Sequence, residues 1–289
     1  MCIRDRSTNL QRHGAGFQEN IKKGIVDGQY LTDLKREHEQ HCQTEALVLK
    51  ILSREFSSIK QIRLEGLSQI NFHDYHLVVT IGGDGTLLAT SHHLDNKTPL
   101  LGVRSSDASV GYLCGSHKES FEKVLLNFLK SELKTVTLQR IKAQITKASS
   151  GEVVSTNFAL NDILFANSNP SCTTRYEIRF NEQRETHRSS GIWVSTATGS
   201  TAAIRAAGSA PIDIHSKLSL FRVREPCYLP QNQLNIVAEQ FLLSEQSLQI
   251  QTFCEEAILA IDGRHHQHTL EFGDHVDFLQ AVPLSLVWQ

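Results

Sequence analysis

At 289 residues the chain is long enough for one large or two ordinary domains, and its 40% hydrophobic content can form a core without disulfides. Lysine plus arginine (29) nearly balances aspartate plus glutamate (31) without a sustained basic run, so neither nucleic acid nor a membrane is an expected partner. Six well-separated cysteines without a C-x-x-C pair indicate a reducing compartment. We expect the cytoplasm, with the mitochondrial matrix as the alternative because the first residues are basic and poor in acid.

The first hundred residues alternate between helix and strand patterns. The expected elements are a helix over Leu34–Leu52, a strand over Gln61–Leu64, a strand over His76–Ile81, a helix from Thr86 and a strand over Pro99–Val103. The run His76–Ile81 is apolar and β-branched and ends at two glycines, which is typical of a buried parallel strand. This order predicts an α/β domain with a parallel sheet over residues 1–105.

Beyond residue 105 the pattern changes to short strands separated by turn residues. A helix is expected over Ser116–Leu129. The expected strands are Val136–Lys147, Gly151–Asn167, Tyr176–Phe180, Gly191–Ser195, Leu218–Val223, Leu248–Phe253, Ala257–Ile261, Val276–Leu279 and Leu284–Trp288. Residues 106–289 therefore read as a β-rich second domain, with the boundary in the Ser/Asp-rich stretch Arg104–Ser109.

The first motif, Gly82-Gly83-Asp84-Gly85-Thr86, follows a predicted buried strand, where ligands bind in open α/β sheets. Glycines let the backbone approach a phosphate closely, and a helix N-terminus presents N–H groups to the anion. A carboxylate in such a cradle suggests that it holds a metal or accepts a proton from an attacking hydroxyl. A simple β-turn with a helix cap at Thr86 is the alternative interpretation.

The second motif places two polar side chains, Asn161 and Asp162, inside a stretch that is apolar on both sides. Adjacent strand residues point to opposite faces, so one of the two is expected to face a partner if the strand is buried. An amide beside a carboxylate suits the vicinal hydroxyls of a ribose, which both donate and accept hydrogen bonds. A β-bulge or an edge position explains the pair equally well.

The third motif, Ser195–Ala203, combines hydroxyl residues, glycine and alanine directly after a predicted strand. Hydroxyls and exposed N–H groups make a neutral hydrogen-bonding surface, and the alanines let a flat group approach the backbone. A capped helix that packs closely through its small residues is the alternative.

In this order and spacing, G-G-D-G-T, a paired Asn and acid, and T-x-T-G-S-T-A resemble the NAD kinase family. The resemblance extends from about Leu34 to the C-terminus and includes the late stretch Ile261–Arg264. G-G-D-G-T alone is shared with diacylglycerol and sphingosine kinases, whereas the third motif is specific. The resemblance implies an α/β domain and a β-rich domain with the active site between them, and transfer of the terminal phosphate of ATP to the 2′-hydroxyl of the adenosine ribose of NAD.

The resemblance also implies roles for the motif residues. Asp84 is implied as the catalytic proton acceptor for the ribose hydroxyl. The nucleotide phosphates are implied to be lined by Gly82, Gly83, Gly85 and Thr86. A ribose of NAD is implied to be held by Asn161 and Asp162. The pocket for the adenosine and pyrophosphate is implied to be shaped by Thr196, Thr198, Gly199, Ser200, Thr201 and Ala202. No dedicated metal cage is visible, so Mg²⁺ is expected to be carried largely by the phosphates. A homodimer or homotetramer is implied.

Several positions depart from the family pattern. Ser189–Gly191 replaces a usual Gly-Asp-Gly, which removes a carboxylate expected on the NAD side. Ala197 and Ala203 replace a proline and a tyrosine, and Arg104 stands where asparagine is usual. These features look more like the divergent branch that includes mitochondrial-type NAD kinases. Nothing before Ser7 reads as a strand, so we expect the first strand of the family fold to be missing.

Two other functions fit parts of the pattern. A lipid kinase of the diacylglycerol or sphingosine type shares the phosphate loop but needs an apolar slot for acyl chains, which the third motif does not offer. A non-catalytic nucleotide-binding relative is the other alternative. The presence of Asp84 argues against it, because binding alone gains nothing from a carboxylate beside phosphate.

Overall fold

The computed structural model describes residues 1–4, 15–25, 27–228, 233–264 and 266–288, without the side chains of residues 4 and 15–18. The chain forms two compact units: Met1–Thr137 with Leu284–Gln289, and Leu138–Pro283. The division falls later than the predicted boundary after residue 105, and the end of the chain returns to the first unit.

The secondary structure alternates in the first unit and is almost entirely β in the second. The strands are β1 (Cys2–Arg4), β2 (Gln61–Arg63), β3 (Val78–Gly82), β4 (Leu100–Arg104), β5 (Ser116–His117), β6 (Thr135–Thr146), β7 (Val153–Ser155), β8 (Asp162–Asn167), β9 (Thr174–Phe180), β10 (Gln183–Ser189), β11 (Ile192–Ser195), β12 (Ser219–Val223), β13 (Ala238–Phe241), β14 (Leu248–Thr252), β15 (Glu256–Ile261), β16 (His266–Glu271) and β17 (His275–Val287). The α-helices are α1 (Ala15–Lys22), α2 (Gly28–Glu55), α3 (Asp84–Ser91), α4 (Phe121–Leu129) and α5 (Ala203–Ala206). Short 3-10 helices cover Leu64–Gln69, Phe72–Asp74 and Thr198–Thr201.

The first unit contains a parallel sheet in the order β2-β1-β3-β4, with β5 and the end of β17 on the far side of β4. The predicted α/β architecture is therefore confirmed. The prediction that nothing before Ser7 forms a strand was wrong, because β1 pairs with both β2 and β3. Cys2 and Ile3 are completely buried there. A three-residue strand paired on both sides is too short to show the periodicity on which sequence prediction depends.

Helices cover this sheet with apolar faces. The carboxylate of Asp27 accepts from the backbone N–H of Gln29 and caps α2, whose apolar residues pack with buried residues of β3 and β4. All five residues of β3 are buried, as expected of a central parallel strand. The helix predicted from Ser116 begins only at Phe121, because Ser116 and His117 instead pair with β4 as the strand β5.

The second unit contains antiparallel strands on both sides of one apolar core. One sheet has the order β13-β12-β11-β8-β15-β16, and β10, β9, β14 and β17 pair in that order on the other side. Phe165 of β8 meets Tyr176 of β9 edge to face at 5.2 Å, which places the core between these strands. The two strands predicted after Val276 form one long strand, β17. The strand β10 was not predicted, because its sequence QRETHRS is polar and buries few side chains.

Candidate active site

The glycine-rich loop lies between β3 and α3, in the strand-turn-helix context that the sequence predicted. Gly83 precedes the helix in an extended conformation, and α3 begins at Asp84, so Thr86 is not the helix cap. A side chain at Gly82 would overlap that of Thr86, and one at Gly83 would overlap that of Ser109. Both glycines are therefore required by close packing, while Gly85 is exposed with open space around it.

Asp84 is half-buried at the start of α3 and already has two partners. Its two carboxylate oxygens accept the backbone N–H groups of Tyr112 (3.0 Å) and Leu113 (2.8 Å). These bonds hold the turn that follows Val110 against the helix start. Each carboxylate oxygen has a further lone pair, so the same group can still accept a proton from a hydroxyl. The pKa of the nearby Cys114 thiol is raised to about 12, mainly by burial and secondly by the charge of Asp84, so this thiol stays protonated.

The Asn161–Asp162 pair lies at the start of a central strand. Asn161 precedes β8, which begins at Asp162 and pairs with β11 on one side and β15 on the other. The alternative interpretation as an edge position is therefore wrong. Asp162 is 6% exposed, which excludes the ordinary solvent-facing role of an acidic residue on a strand.

Asp262 holds the backbone of this pair in place. One of its carboxylate oxygens accepts the N–H groups of Asn161 (2.7 Å) and Asp162 (3.0 Å), and the other accepts that of Leu160 (2.8 Å). In return, the Asp262 N–H donates to the carbonyl oxygen of Asp162 (2.9 Å). Sequence reasoning assigned no role to Asp262. The signal that was available is an Asp-Gly step directly after an apolar strand, with Asp262 at a φ of 49°.

Burial controls the protonation of these two carboxyl groups. It raises the pKa of Asp162 to about 7, with the charge of Asp262 as a second cause. It also raises the pKa of Asp262 to about 6, against the three backbone N–H groups and the charge of Arg140, which favour the ionised form. Arg140 is completely buried; its Nε donates to the carbonyl oxygen of Val282 (2.7 Å), and its guanidinium lies over the ring of Phe158. Sequence reasoning did not identify this cation.

The third motif packs directly on the second. The Thr196 hydroxyl donates to the carbonyl oxygen of Leu160 (2.5 Å) and accepts the N–H of Gly199 (3.2 Å). The Ser195 hydroxyl donates to the carbonyl oxygen of Asn161 (3.0 Å), and a side chain at Gly199 would overlap that same oxygen. The structure therefore brings these two predicted motifs together within the second unit.

Not every hydroxyl of the third motif is available to a ligand. The Ser200 hydroxyl donates to the carbonyl oxygen of Ala197 (2.7 Å) and accepts the N–H of Ile212 (3.1 Å), so it braces the segment. The buried Thr198 hydroxyl has no hydrogen-bond partner within the part of the chain that the structure describes. A buried hydroxyl in this state is a candidate contact for a ligand. Thr201 and Ala202 are half-buried beside it.

Ser189, the first residue of the segment that replaces the usual Gly-Asp-Gly, has a structural role. Ser189 is buried, and its hydroxyl lies 2.8 Å from that of Tyr176. It also accepts the N–H of Gly191 (2.9 Å). Gly191 has a φ of 112°, and a side chain there would overlap the carbonyl oxygen of Phe165, so glycine is required. This segment fixes the entry into β11 and offers no carboxylate.

Metal-ligating side chains are sparse across the described ranges. Within them, no group of three or more His, Cys, Asp or Glu residues is close enough to hold a metal ion. The single carboxylate of the glycine-rich loop fits a Mg²⁺ ion that takes most of its ligands from phosphates and water. Of the helices in the described ranges, none is long and apolar enough to cross a membrane.

A glycine-rich loop between a buried parallel strand and the start of a helix is the arrangement in which nucleotide-binding enzymes hold phosphate. A family model described as the ATP-NAD kinase N-terminal domain matches residues 18–133. A probable NADH kinase from Oryza sativa subsp. japonica is 31% identical over 281 residues, covering 89% of this chain and 83% of that protein. The NADH kinase of Arabidopsis thaliana is 30% identical over 297 residues, covering 96% of this chain and 90% of that protein. The chain belongs to the NAD kinase family.

A solved structure supports the same fold. The structure of yeast NADH kinase complexed with NADH superposes on this chain with a TM-score of 0.74 at 17% sequence identity. The match covers 100% of this chain and 83% of the yeast chain. The predicted combination of an α/β unit and a β-rich unit is thus confirmed. The matches to NAD and NADH kinases support the predicted family and not the lipid-kinase alternative.

Proposed function

We propose that this protein transfers the terminal phosphate of ATP to the 2′-hydroxyl of the adenosine ribose of NAD or NADH. The observation that carries the proposal is Asp84, a carboxylate fixed at the N-terminus of α3 and followed by Gly85, which has open space around it. The relatives named NADH kinases are the reason for including the reduced dinucleotide as a substrate.

In the proposed reaction the ribose 2′-oxygen attacks the γ-phosphorus, and the bond from that phosphorus to the β,γ-bridging oxygen breaks. Asp84 accepts the proton of the 2′-hydroxyl. Gly82, Gly83, Gly85 and Thr86 surround the phosphates of the donor. Phosphoryl transfer depends mainly on positioning and on neutralising charge, so a rigid loop and one carboxylate are sufficient protein groups. A bound Mg²⁺ supplies the neutralising charge.

The second unit holds the dinucleotide in this proposal. Asn161 and Asp162 hydrogen-bond to a ribose, and the Thr198 hydroxyl, which has no partner among the described residues, bonds to the bound substrate. Thr196, Gly199, Ser200, Thr201 and Ala202 form the adjoining wall. The hydroxyls of Thr196 and Ser200 act by bracing that wall, because each is already bonded to backbone groups.

The substrate is tested by incubating the purified protein with ATP and Mg²⁺ and with either NAD or NADH, followed by chromatographic and mass analysis of the product. We expect a product heavier by one phosphate group that an NADP-specific dehydrogenase accepts. The ratio of kcat/KM for NADH to that for NAD then defines the preferred dinucleotide. A folded protein that phosphorylates neither one contradicts the proposal and favours the non-catalytic alternative.

We further propose a homodimer or homotetramer in the cytoplasm, with the mitochondrial matrix as the alternative location. Resemblance to the family supports the first statement, and six widely spaced cysteines, as expected in a reducing compartment, support the second. Light scattering coupled to size-exclusion chromatography measures the mass of the assembly, and a monomer at micromolar concentration contradicts the proposal. Imaging of a fluorescent fusion separates the two locations.

A further inference from the structure

A cavity of about 220 Å³ lies in the first unit, beside the ends of β4 and β5 and the turn that connects them. Its lining includes Arg104, Gly111, Cys114, Ser116, His117 and Ser120. The volume is below the 300 Å³ or so from which pockets for whole organic ligands start. The cavity therefore suits a small group. Its guanidinium, imidazole and hydroxyl groups, from Arg104, His117 and the two serines, favour a group that carries oxygen atoms.

The cavity adjoins the phosphate loop along the same edge of the sheet. Arg104, the last residue of β4, is the register partner of Gly82, the last residue of β3. The N–H of the next residue, Ser105, donates to the carbonyl oxygen of Gly82 (3.0 Å). Ligands of parallel sheets bind beyond the carboxyl ends of the strands, and both strands end here. Asp84 of the loop accepts the N–H groups of Tyr112 and Leu113, which lie between the cavity-lining residues Gly111 and Cys114, so the loop and the cavity share this turn.

The acidic side chains near the cavity do not neutralise the charge of Arg104, so its guanidinium can bind an anion. Among the described residues it forms an ion pair with Asp107, whose oxygen lies 3.6 Å from the guanidinium, beyond hydrogen-bond distance. Asp107 is 79% exposed and receives a hydrogen bond from Gln40 (3.0 Å), so its attraction for Arg104 is screened by water. Glu119 pairs with His117 on an exposed surface. Asp84, whose charge acts on the cavity-lining Cys114, has each carboxylate oxygen bonded to a backbone N–H group of the turn. Arginine presents a fork of donors that matches phosphate geometry.

We propose that Arg104 and this cavity form a subsite for the distal phosphates of the phosphoryl donor. The inference rests on the proposed kinase function and extends it to a residue that differs from the asparagine usual in the family. The ligand chemistry is a phosphate chain, which either ATP or inorganic polyphosphate supplies. Arg104 contributes binding of the donor, not proton transfer.

The direct test is titration calorimetry with inorganic tripolyphosphate, with Arg104→Asn compared to wild type. Loss of a charged hydrogen-bond donor predicts binding weakened by about tenfold to a hundredfold. Arg104→Lys keeps the charge without the fork and is expected to bind with intermediate affinity, which also excludes misfolding as the cause. Arg63→Asn removes an exposed arginine of the same unit that does not line the cavity, and should bind like wild type.

Two results overturn the subsite: Arg104→Asn binding tripolyphosphate as tightly as wild type, or Arg63→Asn losing the same affinity. Repeating the titration with ATP distinguishes the sources. A loss for both ligands assigns the cavity to the distal phosphates of ATP, and a loss for tripolyphosphate alone assigns it to inorganic polyphosphate. In turnover assays Arg104→Asn should raise the KM of the donor and leave the KM of the dinucleotide unchanged. If no phosphorylated dinucleotide forms at all, the kinase proposal fails while the binding result still decides the subsite.

Discussion

Replacing Asp262 with asparagine tests whether a carboxylate positions the Asn161–Asp162 pair. The wild-type group accepts three backbone N–H groups with two oxygens. An asparagine has one oxygen, so at least the N–H of Leu160 is left facing an amide NH₂ group. A buried donor without an acceptor costs about 1–3 kcal/mol, and the two remaining bonds lose their charge assistance, about 1 kcal/mol each. A neutral asparagine avoids the cost of burying a charge, which offsets part of these losses. The free energy of unfolding is therefore expected to fall by about 2–4 kcal/mol.

The assay combines denaturant unfolding with steady-state kinetics. The free energy of unfolding should fall by that amount, and the KM of the dinucleotide should rise while the KM of ATP stays constant, because only the ribose-binding backbone is released. Asp274→Asn is a matched control. Asp274 is also buried in the second unit and accepts the N–H groups of Ala148 (2.8 Å) and Glu271 (3.0 Å), but outside the site.

The control is expected to lose stability without a change in either KM. An Asp262→Asn variant that unfolds with the free energy of wild type would show that the carboxylate does not hold the pair. An equal rise in the KM of the dinucleotide for both variants would show that the effect comes from general destabilisation.

Two further variants test the same region. Burial raises the pKa of Asp162 to about 7, so the folded state keeps this proton to a higher pH than the unfolded state does, and the free energy of unfolding should fall as pH rises from about 4 to 7. Asp162→Asn should reduce this dependence on pH by at most about 1.4 kcal/mol per pH unit, and the part due to Asp262 should remain. Denaturant titrations across this pH range measure the slope for both proteins. Equal slopes for wild type and Asp162→Asn contradict the assignment. Gly199→Ala should overlap the Asn161 carbonyl oxygen and lower the unfolding midpoint by several degrees. Gly66→Ala, where a side chain meets open space, should not, and equal midpoints for the two variants refute the packing argument.

The sequence predicted those parts of the fold that depend on local pattern. The buried run before Gly82, the glycine-rich loop and the following helix were recognisable because β-branched residues, glycines and a helix start occur within ten or so residues of one another. The strand at Cys2–Arg4 was missed because its burial depends on partners that follow it by more than fifty residues. The strand Gln183–Ser189 was missed because it is polar along most of its length.

The sequence drew attention to the three motifs but not to the residues that hold them in place. Asn161 and Asp162 could be read as a polar interruption, but the residue that holds them, Asp262, lies one hundred residues further along the chain. Arg140 could not be recognised either, since one arginine in an alternating strand usually faces water and this one is buried against a ring. Such contacts depend on the topology of the sheet, which a single sequence does not specify.

The most direct test of the central claim is the turnover of Asp84→Asn beside wild type, measured as NADP or NADPH formed from ATP, Mg²⁺ and the dinucleotide. We expect wild type to be active and the variant to lose about 10²-fold or more in kcat, the usual contribution of a general base. Calorimetry should show that the variant still binds ATP and the dinucleotide, because asparagine keeps an acceptor for the N–H of Leu113, and the exposed N–H of Tyr112 can bond to water instead. An Asp84→Asn variant that turns over at the wild-type rate contradicts the account.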